Sequence, residues 1–204
     1  MISKACEEGL DKMKQKEYGF NILHEPSGKG NLGLVKSLIK CGSNKEAKDD
    51  GGRTPLICAS NGGNLDVVKY LISIEADKEV KDDIGATPLY WASNNGHLAV
   101  VKYLISMGAD KNIKNNRGIS PLFIASVRGR YDVVDYLVRL GADVNEPNCD
   151  GWIPLFAAAY EGHLRVVEYL ISVRSNLNHK DNSGRTFLDI ANNKIQGTII
   201  DLYF

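Results

Sequence analysis

Charge of one sign, long apolar runs and paired cysteines are all missing from this sequence, and each absence closes a class of function. Its 204 residues carry 25 basic and 25 acidic side chains, a formal net charge of zero, with neither sign concentrated in a stretch. A surface that neutralises phosphates needs a basic face, so neither nucleic acid nor an anionic membrane is expected as the primary ligand. No apolar run approaches the roughly 18 residues that a membrane span needs. Lys4, Glu7, Glu8, Asp11, Lys12 and Lys14 interrupt the first twenty residues, which is not the pattern of a secretory signal peptide. There is no Asn-X-Ser/Thr acceptor for glycosylation. Cytoplasm or nucleus is the expected compartment.

The four cysteines are Cys6, Cys41, Cys58 and Cys149. They form neither Cys-X-X-Cys pairs nor a zinc-knuckle spacing, so free thiols are expected and neither a metal nor another cofactor is.

Glycine, by contrast, is placed with regularity. It recurs at positions 19, 52, 85, 118, 151 and 184, a constant step of 33 residues. A fixed period of this length means one supersecondary unit repeated, and the units here are 16–48, 49–81, 82–114, 115–147, 148–180 and 181–204. Residues 1–15 fall outside the phase. Ile2, Ala5, Cys6, Leu10 and Met13 give them the pattern of an amphipathic helix that caps the first unit.

The unit from Asp49 to Lys81 shows how the local chemistry works. Asp49-Asp50-Gly51-Gly52-Arg53 is a cluster of turn formers and reads as the tip of a hairpin-like finger. Thr54 then offers a hydroxyl as N-cap, and Pro55 takes the first helical position, where a missing N–H costs nothing. A short helix follows through Leu56, Cys58 and Ala59 until Asn61-Gly62-Gly63-Asn64 stops it. A second helix runs from about Leu65 to Ser73, with an apolar stripe of Leu65, Val68, Leu71 and Ile72 widened by Val67. Leu98, Val101, Leu104 and Ile105 repeat the stripe, as do Tyr131, Val134, Leu137 and Val138, and Leu164, Val167, Leu170 and Ile171.

Neither helix reaches the 12–15 residues or so that an isolated helix needs in water. Four or five large apolar side chains per unit, each contributing roughly 1.5–3 kcal/mol when fully buried, stabilise the chain only if adjacent units cover them. Small pairs such as Ala59-Ser60, Ala92-Ser93, Ala125-Ser126 and Ala157-Ala158, with Ala191-Asn192 in the last unit, let neighbouring first helices approach closely. Stacking is therefore obligatory, and the fold class is an all-α repeat of about six helix-turn-helix units with finger loops. In the last unit Phe187 stands where proline is expected. The closing residues Ile200 to Phe204 are expected to form an apolar, incomplete cap.

The motif Thr-Pro-Leu recurs in phase: Thr54-Pro55-Leu56, Thr87-Pro88-Leu89, Ser120-Pro121-Leu122, Ile153-Pro154-Leu155 and a decayed Thr186-Phe187-Leu188, with Asn21-Ile22-Leu23-His24 in register upstream. With Gly96-His97-Leu98 and Gly108-Ala109-Asp110, these units make residues 16–204 resemble the ankyrin repeat family, and the chain is expected to fold as an ankyrin-repeat solenoid. There are departures. The family histidine after Thr-Pro-Leu survives only at His24, being Ile57, Tyr90, Phe123, Phe156 and Asp189 elsewhere. Glu75 and Arg174 replace an exit-loop glycine, and looser loops are expected there.

The resemblance implies a curved stack whose concave side is lined by fingers and first helices, where partners of this family are usually held. It places Asp50, Arg53, Asn61, Asp83, Ile84, Ala86, Asn94, Asn95, Arg117, Ile119, Val127, Arg128, Asp150, Trp152, Tyr160, Glu161 and Arg185 on one continuous concave side. Phe156 has two readings. It either joins Trp152 and Tyr160 in an apolar shelf, by its i, i+4 spacing from Tyr160, or packs on the next unit. Trp152, one residue past a finger glycine, is expected to be an exposed contact of the kind enriched among hot spots. Trp91 shares its register with Cys58, Ile124 and Ala157, and is expected in the core.

Catalytic readings find little support. His97 and His163 share one place in the inter-helix turn, which the period explains without a nucleophile or orienting carboxylate. His24 matches the family's hydrogen-bonding histidine, and His179 stands alone in a loop. Gly28-Lys29-Gly30 lacks the rest of a P-loop and is the turn of the first unit. Turn chemistry accounts for Asp49-Asp50 and Asp82-Asp83 without a cation. The expected function is a non-enzymatic protein-binding module, a monomer whose protein partner the residues do not identify. The alternative is a regulator that inhibits an enzyme such as a protein kinase through the same surface.

Overall fold

The structure, a computed structural model, describes residues 22–191. The capping helix expected over 1–15 and the apolar end at 200–204 lie outside the described residues. Everything described is helix, turn or loop, with no strand. Eleven helices follow one another among the described residues: α1 (His24–Gly28), α2 (Leu32–Lys40), α3 (Pro55–Asn61), α4 (Leu65–Ser73), α5 (Pro88–Asn95), α6 (Leu98–Ser106), α7 (Pro121–Val127), α8 (Tyr131–Arg139), α9 (Pro154–Glu161), α10 (Leu164–Ser172) and α11 (Phe187–Ile190).

The helix starts follow the capping chemistry. Thr54 Oγ1 accepts from the Ile57 N–H and Ser120 Oγ from the Phe123 N–H, each just before a proline at the first helical position. Ile153 has no such oxygen, and α9 begins on Pro154 without a side-chain cap. At α11 the absent proline is offset by a reciprocal box. Thr186 caps the third residue's backbone, and the Asp189 carboxylate accepts from the Thr186 N–H and hydroxyl at 2.8 and 2.7 Å.

The helices pack in two compact parts, 22–92 with 99–109 and 93–98 with 110–191. In the first, α1 lies on α3 and α2 on α4, while α3 and α4 pair within their own repeat. In the second, α7 lies on α9 and α9 on α11, while α8 lies on α10. Within each part, like helices thus stack on like. Ala59, Ala92, Ala125 and Ala158 are fully buried at this stacking position. The second helices bury a narrower stripe than their spacing predicts. Val67, Val68 and Leu71 are buried, with Val100, Val101 and Leu104, Val133, Val134 and Leu137, and Val166, Val167 and Leu170 in the same places. Leu65 and Ile72 remain half-exposed, because only the inner side of this layer is covered by the first helices.

Each of the five fingers among the described residues is closed by the side chain three residues before its glycine. Asp49 Oδ1 accepts from the N–H groups of Gly51 and Arg53, Asp82 from Ile84 and Ala86, Asn115 from Arg117 and Ile119, Asn148 from Asp150 and Trp152, and Asp181 from Ser183 and Arg185. Within each part, neighbouring fingers are joined by a backbone bond: Asp83 N–H to Gly51 O (3.0 Å) in the first, and Cys149 N–H to Arg117 O (3.1 Å) and Asn182 N–H to Asp150 O (3.2 Å) in the second. The finger glycine is required on two counts. Gly151 has φ +78°, and a Cβ there would lie 2.5 Å from Asn182 Oδ1 and 2.8 Å from its backbone nitrogen.

The exit loops at Glu75 and Arg174 are not loosened. Both residues adopt left-handed backbone, φ 62° and 68°, and keep the bonds that the glycine-bearing loop makes at Gly108. Glu75 N–H reaches Ile72 O at 2.9 Å and Arg174 N–H reaches Ile171 O at 3.0 Å, against 2.9 Å from Gly108 to Ile105. The departure is absorbed as local backbone strain rather than as a change of loop.

Candidate functional site

The second compact part holds a cleft of about 590 Å³ built from three fingers and two first helices. Arg117 and Ile119 come from one finger, Asp150 and Trp152 from the next, and Arg185 with Asp181 from the third. Helix α7 contributes Phe123 and Val127; α9 contributes Ala157, Tyr160 and Glu161. Seven expected contact residues other than Trp152 therefore meet around it.

Trp152 is the fixed wall of the cleft. Its Nε1–H donates to Asp181 Oδ2 at 3.2 Å, its ring meets Tyr160 edge-on with centroids 5.4 Å apart and planes at 62°, and the Arg185 guanidinium lies 5.9 Å from its centroid. The indole is half-buried, whereas Tyr160 is 54% exposed. Asp181 is itself buried and also accepts from Arg185 Nε at 2.9 Å. Burial works to raise its pKa, but hydrogen bonds from the Arg185 backbone and side chain, from Ser183 and from Trp152 outweigh it, and the carboxyl falls from 3.8 to about 2. On the rim, Arg117 faces Asp150 at 3.3 Å, both side chains largely exposed.

The first part carries a smaller cleft of about 270 Å³ lined by His24, Glu25, Lys29, Arg53, Cys58 and Asn61. His24 Nε2 lies 2.8 Å from Arg53 O, and the Arg53 side chain is paired with buried Asp49. Burial, with a smaller opposing effect of Arg53 and a reinforcing one of Asp49, pushes the Cys58 thiol up to about 12. Asp50, Asp83 and Ile84 stand exposed on finger tips, and Asn95 is half-buried at the end of α5. Asn94 Oδ1 accepts from exposed Arg128 at 3.1 Å.

Several expectations are corrected. Ala86 is fully buried: the residue after the finger glycine anchors its backbone on Asp82, and only a side chain longer than methyl reaches out from there. Phe156 is also fully buried, with its ring 5.5 Å from that of His179, so the aromatic shelf has two members, Trp152 and Tyr160. Phe156 lies in the first turn of α9, under the loop that brings His179; Tyr160 lies in the last turn, beyond that cover. His179 is not alone, since Nε2 lies 2.8 Å from Gly151 O. Trp91 is half-exposed rather than core. An indole is too large for a site filled by Cys58, Ile124 or Ala157, and its N–H donates to Oδ2 of buried Asp82 at 2.8 Å. Cys41 is disulfide-bonded, against the expectation of a free thiol, whereas Cys58 and Cys149 are free. His163 Nε2 sits 3.0 Å from Val127 O, a tie between successive inter-helix turns.

Among the described residues, no three His, Cys, Asp or Glu side chains are grouped to hold a metal ion. No helix there is long and apolar enough to cross a membrane. The signal for Asp181 was present in the sequence as its register with Asp49 and Asp82. What the spacing did not show was that Trp152 would reach across to it from the preceding finger.

Helix pairs stacked like on like within each part, with a finger closed on an Asp or Asn side chain before each first helix from α3 onward, define a tandem helix-pair repeat scaffold. The family model for ankyrin repeats in three copies matches residues 4–82, 23–115, 75–148 and 122–199, and the chain belongs to the ankyrin repeat family. Such repeats are protein–protein interaction modules, and the family is generally non-enzymatic. The chain is similar to ankyrin repeat and SOCS box protein 3 of Bos taurus, 50% identical over 42 residues, and to the Homo sapiens protein of that name, 45% identical over 42 residues. Each match covers 21% of this chain and 8% of the relative, so the likeness spans under a tenth of those proteins' length.

Proposed function

We propose that this chain is a non-enzymatic binding module that holds a protein partner on the surface made by its finger loops and first helices, with the Trp152–Tyr160 cleft as the energetic centre. The observation that carries this reading is the pre-organised indole. Trp152 is held by Asp181 and Tyr160 with one side left open to a cleft of about 590 Å³. A rigid aromatic anchor rimmed by charge is the usual composition of a binding hot spot, because little side-chain entropy is lost when a partner closes over it. The half-exposed and exposed side chains of Arg117, Ile119, Val127, Arg128, Asp150, Glu161 and Arg185 extend the surface in this part, and those of Asp50, Arg53, Asn61, Asp83 and Ile84 supply contacts in the other. Inhibition of a bound enzyme such as a kinase would use the same side chains, and no observation favours it.

The test is capture of a partner from native lysate followed by titration against the wild type, Trp152→Ala and Tyr160→Ala. Each substitution should weaken binding by about 2 kcal/mol or more. Tyr160→Ala should leave the melting temperature nearly unchanged, within about 0.5 kcal/mol of stability. Undiminished affinity in both variants would remove the cleft from the partner interface.

A further inference from the structure

We propose that the cleft takes a basic side chain of the partner, arginine or lysine, with its stem against the angle of the Trp152 and Tyr160 rings and its charged head at Glu161. This rests on the reading of the cleft as the partner site and names the chemistry it selects.

The charges lining the cleft point to a cation. Arg185 is matched by buried Asp181, at 2.9 Å from Nε and 2.7 Å from the terminal nitrogen, and Arg117 is matched by Asp150. Glu161 is the remaining charged group of the lining, and among the described residues no cation lies within ion-pair distance of it. Two arginines against three carboxylates leave the lining at net −1 by formal count.

The placement of Glu161 adds to this. It is the last residue of α9, followed by Gly162 in left-handed conformation at φ 79°. The carbonyl end of a helix carries partial negative charge, so a carboxylate there is unfavourable for the helix alone. A cation supplied from outside meets the acid and the helix end together. A peptide rich in Asp or Glu would instead have to displace two existing pairs and face this field.

The aromatic geometry suits the same occupant. Ring centroids 5.4 Å apart at 62° leave no slot between the rings but form a corner, and Tyr160 is exposed on it. Arginine and lysine bring an apolar stem for such a corner and a charge that the ring faces attract. An aliphatic side chain of equal length would gain the stem contact and leave Glu161 unmatched.

The experiment uses the full chain and four acetylated, amidated heptapeptides, Gly-Ser-Gly-X-Gly-Ser-Gly, with X arginine, lysine, norleucine or glutamate. The Trp152 indole N–H is followed by two-dimensional NMR. The arginine and lysine peptides should shift it in a saturable way, the norleucine peptide should bind at least about fivefold more weakly, and the glutamate peptide should not bind. Glu161→Gln, checked for an unchanged thermal melt, should weaken the arginine peptide by about fivefold and abolish its salt dependence. Equal binding of norleucine, binding of glutamate, or indifference to Glu161→Gln overturns the basic occupant while leaving the partner site in place. Silence with all four peptides overturns it too. Only silence together with a partner affinity indifferent to Trp152→Ala sinks both.

Discussion

Trp152 and Asp181 belong to successive repeats, and the indole Nε1–H of the first donates to Oδ2 of the second at 3.2 Å. The half-buried aromatic of one finger is thereby positioned by the buried carboxylate that closes the next. That carboxylate also carries the Arg185 ion pair and the turn bonds of its own finger, so the shape of the cleft and the integrity of the last finger are one property.

Acid should loosen this junction. The folded pKa of Asp181, about 2, lies below its ordinary 3.8, so its stabilising contribution is complete above about pH 4 and is lost as pH falls through 2. Asp181→Asn keeps a turn acceptor, as Asn115 and Asn148 show, but removes the charge. Urea midpoints at pH 7, 4, 3 and 2 should converge for wild type and variant toward the acid end, with the wild type ahead at neutral pH. Parallel curves would mean that Asp181 plays no such part.

Phe156 and Tyr160 sit four residues apart on α9 and should behave oppositely. Phe156→Ala empties a fully buried site and should cost about 3–5 kcal/mol. Tyr160→Ala should cost no more than about 0.5 kcal/mol. Chemical denaturation of the two variants side by side checks the contrast.

Glycine should be the better residue at positions 75 and 174. Left-handed backbone costs an L-residue roughly 1–2 kcal/mol, and glycine gives back about 0.5–1 kcal/mol of that through its freer unfolded chain. Glu75→Gly and Arg174→Gly should each gain up to about 1 kcal/mol in a thermal melt. A loss of stability in both would show that their side chains contribute more than the strain removes.

The two free thiols should differ in reactivity. Cys58, buried and with a pKa of about 12, presents almost no thiolate at pH 8, whereas Cys149 is exposed. Iodoacetamide followed by peptide mass mapping of the folded protein should find Cys149 modified and Cys58 spared. Comparable labelling of both before unfolding would contradict the burial of Cys58.

The repeat, its helix starts and its finger turns were legible in the sequence because they depend on local chemistry. Thr54 and Ser120 cap the N–H three residues on, and Asp82 closes a turn within four residues. The 33-residue phase then states which positions are equivalent. Equivalence of position did not carry equivalence of burial. Trp91, Cys58 and Ile124 share a register, yet the indole is half-exposed while the others are buried, because the pocket left between neighbouring helices has one size and the side chains do not. The i, i+4 spacing likewise put Phe156 and Tyr160 on one face, and a loop from further along the chain covered only one of them.

By itself, then, the amino-acid sequence determined the period, the helix-pair architecture and which side chains stand at equivalent positions from repeat to repeat, since these follow from propensity, capping and turn residues within a few positions of each other. Tertiary structure alone decided which of those side chains meet. That Asp181 holds Trp152, that Arg117 finds Asp150 and that Glu161 stays unmatched beside them depends on how far each side chain reaches across a repeat boundary, a distance that no local pattern encodes.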